Sequence, residues 1–107
     1  MTESADFAIV KGTLDESAVL RVEGELDLTT APTFEEALRS TGSDSDLIVD
    51  LSLCTFLDSS GLKAIASAAN RHPRVSIVAT DPTILRVLEI TALDTMVPVH
   101  ASLEEAR

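Results

Sequence analysis

The 107-residue chain has no tryptophan, no tyrosine and only three phenylalanines. Its core must therefore be aliphatic, built from Val, Ile, Leu and Ala. Cys54 is the sole cysteine, which excludes an intramolecular disulfide and fits a reducing compartment. It lies in an apolar run, where a buried and inert thiol is expected. Four glycines leave no Gly-rich phosphate-cradling loop. Two separated histidines, His72 and His100, give no metal-ligand spacing, so neither metal nor cofactor is expected. Each stands beside a loop or chain end and is expected to be solvated.

Basic residues are also scarce. Eight Lys and Arg against eighteen Asp and Glu give a formal charge of −10. Such a surface repels phosphate backbones and anionic bilayers, so no direct nucleic-acid or membrane binding is expected. No apolar run approaches the ~20 residues of a membrane span. The first residues lack the basic and apolar regions of a signal peptide, and a cytoplasmic protein is expected.

The length fits one domain with a core of its own. Residues 1–6 read as a flexible tail and 7–107 as the domain. Residues 7–11 suggest a strand, with a turn at Asp15-Glu16. Residues 18–25 alternate with period two, Leu20, Val22 and Gly24 on one face and Val19, Arg21, Glu23 and Glu25 on the other. Thr30 is placed to cap a helix that carries Pro32 in its first turn and buries Ala31, Phe34, Ala37 and Leu38, running to about Thr41.

A strand over 46–51 leads through 52–57 into a helix from Ser59, whose Leu62, Ile65, Ala66 and Ala69 mark one face. Residues 74–80 form the next strand. Asp81-Pro82 then starts a helix lined by Ile84, Val87, Leu88 and Thr91. A short strand over 95–99 contains Pro98, as at a sheet edge. Ser102 caps a last turn over 103–107. The order β-β-α-β-α-β-α-β-α predicts an α/β fold: a mixed sheet of four to five strands with about four helices. Val19 and Pro98 read as exposed edge or contact positions, compatible with a monomer or weak dimer.

The junction Phe56-Leu57-Asp58-Ser59-Ser60-Gly61-Leu62 concentrates hydroxyls, a carboxylate and a glycine where a strand meets a helix. Three roles suit a serine there: nucleophile, cap or phosphorylation site. The nucleophile-elbow pattern G-x-S-x-G is missing. His72 stands at the far end of the same helix, roughly 20 Å away at ~1.5 Å per residue. A general base must come within ~3 Å, so a serine hydrolase is disfavoured. Asp58 or Ser59 can cap the helix. A phosphate on Ser59 is the competing role: it would meet the first amides of the helix and add ~1.5–2 negative charges beside Asp58. Two charges ~4 Å apart interact by ~4 kcal/mol near a surface, enough to switch an association off.

Three segments together, GELDLTTA (Gly24–Ala31), LIVDL (Leu47–Leu51) followed by FLDSSGL (Phe56–Leu62), and LRVLEITAL (Leu85–Leu93), resemble the STAS domain of bacterial anti-sigma factor antagonists. The resemblance spans residues 7–106. It implies a protein that is no enzyme. Unphosphorylated, it binds an anti-sigma factor that is also a serine kinase, and so frees a sigma factor. Phosphorylation of the serine after the aspartate, here Ser59, dissolves the complex, and a serine phosphatase restores it. Asp27, Thr29, Asp58, Ser60, Gly61, Leu62 and Lys63 are the partner contacts the resemblance implies. Alternatives with the same fold are scaffold subunits of stressosome-like or lipid-transport complexes; a nucleotide-binding protein lacks the needed phosphate-binding groups. One departure is Ala92, where the family usually has glycine. Alanine there either adopts the left-handed conformation at a cost of about 1 kcal/mol, or the turn differs.

Overall fold

The computed structural model describes residues 6–107; the expected tail lies outside these apart from Asp6. Five strands form one sheet in the order β1 (Ala8–Leu14), β2 (Ser17–Leu26), β3 (Leu47–Leu57), β4 (Val75–Val78) and β5 (Val99–His100). β1 and β2 are an antiparallel hairpin, and all other neighbours are parallel. Helices α1 (Ala31–Ser40), α2 (Ser59–Ala69) and α3 (Pro82–Ile90) are the crossovers between successive parallel strands. Right-handed crossovers that step in one direction put every helix on the same face. One core cluster accordingly joins Phe34 and Leu38 of α1, Ala64 and Ile65 of α2, and Ile84 and Leu88 of α3 to Leu20, Val49 and Ile77 of the sheet.

The opposite face is covered only in part, by the short helix α4 (Leu103–Ala106). Its Leu103 and Ala106 pack on Val19, Ile48 and Val78. Val19, expected to be exposed, is therefore buried. Arg107 closes this corner with an ion pair to Asp15 at 3.1 Å. Ser102 caps α4, its hydroxyl accepting from the Glu105 amide at 3.2 Å.

Several boundaries differ from the sequence pattern. β1 runs on to Leu14. β3 is a single strand of 11 residues and not a six-residue strand with a link. It pairs with β2 through two register shifts, between Arg21 and Glu23 and between Gly24 and Glu25. Each shift breaks the period-two pattern and leaves Ser52, Leu53, Thr55 and Phe56 exposed. Residues Leu93–Thr95 form a 3-10 turn, so β5 begins after Pro98, whose carbonyl accepts from Ile77 at 2.9 Å. His72 is buried rather than solvated, its Nδ1–H donating to the Ser45 carbonyl at 2.9 Å. It ties the end of α2 to the loop before β3.

Ala92 holds φ 62° and ψ 17°, the left-handed conformation that glycine occupies without penalty. Ala92→Gly is expected to raise stability by up to about 1 kcal/mol, the relieved strain exceeding the added unfolded-chain entropy. Thermal unfolding checks this as a Tm rise of roughly 4 °C.

Candidate functional site

Leu26 and Leu57 are register partners at the ends of the adjacent parallel strands β2 and β3. The chain leaves each strand through an aspartate, Asp27 after Leu26 and Asp58 after Leu57. Parallel strands lie ~4.8 Å apart, so the two loops emerge side by side. The Asp58 amide donates to the Leu26 carbonyl at 3.2 Å and locks them together.

Both aspartates organise backbone. The Asp27 carboxylate accepts from the amides of Thr29 and Thr30 at 3.0 and 3.1 Å. In return the Thr30 hydroxyl accepts from the Asp27 amide at 2.9 Å and donates to the Glu25 carbonyl at 2.7 Å. Thr30 occupies the N-cap position of α1 but makes no side-chain cap, contrary to expectation. Its hydroxyl is committed to the loop before it. This arrangement leaves Thr29 exposed at the loop tip beside Leu28, which is 77% exposed. Leu28 is not among the contacts the resemblance implies; its one signal in the sequence is a large apolar residue between the polar Asp27 and Thr29.

Asp58 is the cap of α2, with extended backbone and its Oδ1 accepting from the Ser60 amide at 2.9 Å. That settles the capping role in favour of the carboxylate. Ser59 is the first helical residue and exposed, and its side chain makes no hydrogen bond among the described residues. Ser60 beside it is half-buried. Neither histidine belongs to this junction, since His72 is buried at the other end of α2 and His100 lies in β5.

The helix then turns inward. The buried face of α2 is Gly61, Ala64, Ile65 and Ala68, rotated from the expected Leu62 face. Leu62 is a half-buried rim residue, and Lys63 is exposed. Gly61 was implied as a partner contact, but it is buried under the site. A Cβ there would lie 2.7 Å from Leu26 Cγ and 2.8 Å from Leu57 Cδ1, the side chains that precede the two aspartates. Gly61 thus lets the helix approach the strand ends closely. Gly61→Ala is expected to destabilise by roughly 1–2 kcal/mol, crowding outweighing the ~1 kcal/mol gain in helix propensity. Urea unfolding checks the sign, which a solvent-facing glycine would reverse.

Cys54 lies on the inner side of β3 near this end, its Sγ 3.1 Å from the Phe56 carbonyl. Burial pushes its thiol above the ordinary range. A thiol held neutral in the fold leaves stability unaffected below pH ~8.5 and lowers it above, as the unfolded thiol ionises. A pH series of unfolding curves is expected to show a shallower alkaline decline for Cys54→Ala. Among the described residues no group of three or more His, Cys, Asp or Glu is placed to hold a metal ion. No helix among them is long and apolar enough to cross a membrane.

The family model for the STAS domain matches residues 8–106. An anti-sigma-F factor antagonist, RsfB of Mycobacterium tuberculosis, is 33% identical over 94 residues, covering 83% of this chain and 77% of its own. The crystal structure of an anti-sigma factor antagonist from Mycobacterium paratuberculosis superposes with a TM-score of 0.89 at 30% identity, over 99% of this chain and 95% of that one. The Bacillus cell fate determinant SpoIIAA, solved in its phosphorylated form, shares the fold with a TM-score of 0.68 at 22% identity, covering 92% of this chain and 96% of its own. The paired aspartate loops, the hydroxyl left free at the start of α2 and these likenesses converge: the chain belongs to the STAS domain family, among its anti-sigma factor antagonists.

Proposed function

We propose that the chain binds an anti-sigma factor with serine kinase activity while Ser59 is unmodified, and releases it once Ser59 is phosphorylated. The observation that carries the proposal is the division of labour at α2. Asp58 caps the helix, so the exposed Ser59 hydroxyl has no structural task. Ser60 is less accessible. A relative of the same fold, SpoIIAA, has been solved in a phosphorylated form, which supports the same chemistry here.

The surface presented to the partner combines the tips of both loops: Asp27, Leu28 and Thr29 from one, Asp58, Ser59, Ser60, Leu62 and Lys63 from the other. Gly61 acts beneath it as a spacer. The helix amides tolerate a phosphate at Ser59, so the fold survives the modification. The partner meets a new dianion next to Asp58. At ~4 kcal/mol for unit charges ~4 Å apart and tenfold per ~1.4 kcal/mol, one phosphate suffices to abolish a micromolar complex. A serine phosphatase resets the switch.

Calorimetric titration of the anti-sigma factor with the unmodified and the phosphorylated chain tests this. Binding of the first and loss of most affinity in the second is expected; equal affinity of the two would refute the switch.

A further inference from the structure

A second surface leads away from Ser59. Between α1 and α2 runs an open groove of about 420 Å³, floored by the buried Leu38 and Ala64 and edged by Arg39, Lys63, Ser67 and Arg71. Three of the chain's eight basic residues line it, against one of its eighteen acidic ones, Glu35. In a chain of charge −10 this is a local reversal of sign. Among the described residues the one ion pair reaching it is Arg39–Glu36 at 2.8 Å, on the exposed side of α1.

The groove is continuous with the switch. Ser59, Lys63 and Ser67 stand four residues apart along α2, and Arg71 follows in the turn after it. Residues at that spacing are stacked on one helix face, ~5–6 Å between Cβ atoms. Lys63 thus stands between the two surfaces.

We propose that this groove docks an acidic segment of the anti-sigma partner. The inference rests on the proposed binding function and adds Arg39 and Arg71 to the contact surface. Carboxylates match two guanidinium forks and an ammonium over an apolar floor. The rest of the chain repels polyanions, and screening limits that repulsion to ~8 Å at physiological salt. An acidic segment is therefore favoured along this strip over the rest of the surface. Phosphate on Ser59, one turn from Lys63, draws that ammonium to itself and repels the segment, so the groove gives the switch something to eject.

The first test needs no partner. A short poly-glutamate peptide is titrated into the full unphosphorylated chain, and backbone amide shifts are followed by NMR. Saturable shifts confined to Arg39, Lys63, Ser67, Arg71 and their neighbours are expected. They should weaken about tenfold in R39Q/R71Q, the sum of two exposed charge contacts. Both substituted side chains are exposed, so the variant should melt with the wild type. Absent or delocalised shifts would overturn the inference. So would equal shifts with inorganic phosphate at the same concentration, which would mark a small-anion site.

The second test uses the anti-sigma factor itself. R39Q/R71Q should bind about tenfold more weakly and with a flatter salt dependence. If the wild-type chain does not bind at all, the proposed function fails while the peptide titration still reads the groove. If both chains bind equally, the groove inference alone fails.

Discussion

Ser59→Asp is expected to lower affinity for the anti-sigma factor about thirtyfold, while melting no lower than the wild type. The two readouts separate because they act on different partners of one charge. Within the fold, a carboxylate in the first turn of α2 faces the helix amides, an interaction worth ~0.3–1 kcal/mol that offsets its proximity to Asp58. At the interface the same carboxylate adds to Asp58 with no amide left to oppose it. About half of the ~4 kcal/mol available to close surface charges already gives the stated loss. Ser59→Ala should bind like the wild type and accept no phosphate, because the hydroxyl supports no hydrogen bond among the described residues. Weak binding by the alanine variant would assign the serine a contact role.

Gly24→Val is expected to destabilise the fold severely. Gly24 sits inside β2 at a register shift, with φ of 102°. A side chain in so sparsely populated a region costs ~1–3 kcal/mol. Its Cβ would also press on backbone, 3.2 Å from both the Asp6 carbonyl carbon and the Phe7 Cα, where no rotamer change relieves it. Overpacking adds ~1–3 kcal/mol. The sum, ~2–6 kcal/mol, is a large part of the ~5–15 kcal/mol that holds a domain together. A fall in Tm of at least about 10 °C should follow, and a fall under about 2 °C would rule out this backbone geometry. Gly24 opens the segment that shapes the Asp27 loop, so the fold and the site depend on one residue.

Elements with one clean period were legible in the sequence. Phe34, Ala37 and Leu38 are buried on α1 as their spacing requires, and Asp81 caps α3 ahead of Pro82. The hairpin turn at Asp15 also agrees with local chemistry, whereas the left-handed Ala92 is held against alanine's own preference. What failed did so where tertiary contacts override pattern. Val19 looked solvent-facing because nothing local announces that α4 folds back over the second face of the sheet. The end of β3 looked like a link because two register shifts scramble its alternation. The face of α2 was misjudged because Gly61 has no side chain to register as apolar, yet it makes the closest approach.

The site was legible as a string and not as a geometry. Asp58 and Ser59 compete for one cap on paper, and only the fold assigns it to Asp58. Asp27 is distant in sequence and becomes a neighbour through the pairing of Leu26 with Leu57. Lys63 stood out through family likeness, whereas Arg39 and Arg71 come from different segments and meet it only across two packed helices.

The most direct measurement is the location of the phosphate. The unmodified chain is incubated with its anti-sigma factor kinase and ATP, and the peptide containing Asp58-Ser59-Ser60-Gly61 is fragmented by mass spectrometry. One phosphate on Ser59, retained in Ser60→Ala and lost in Ser59→Ala, is expected. Phosphate on Ser60, or none on either serine, would contradict the switch.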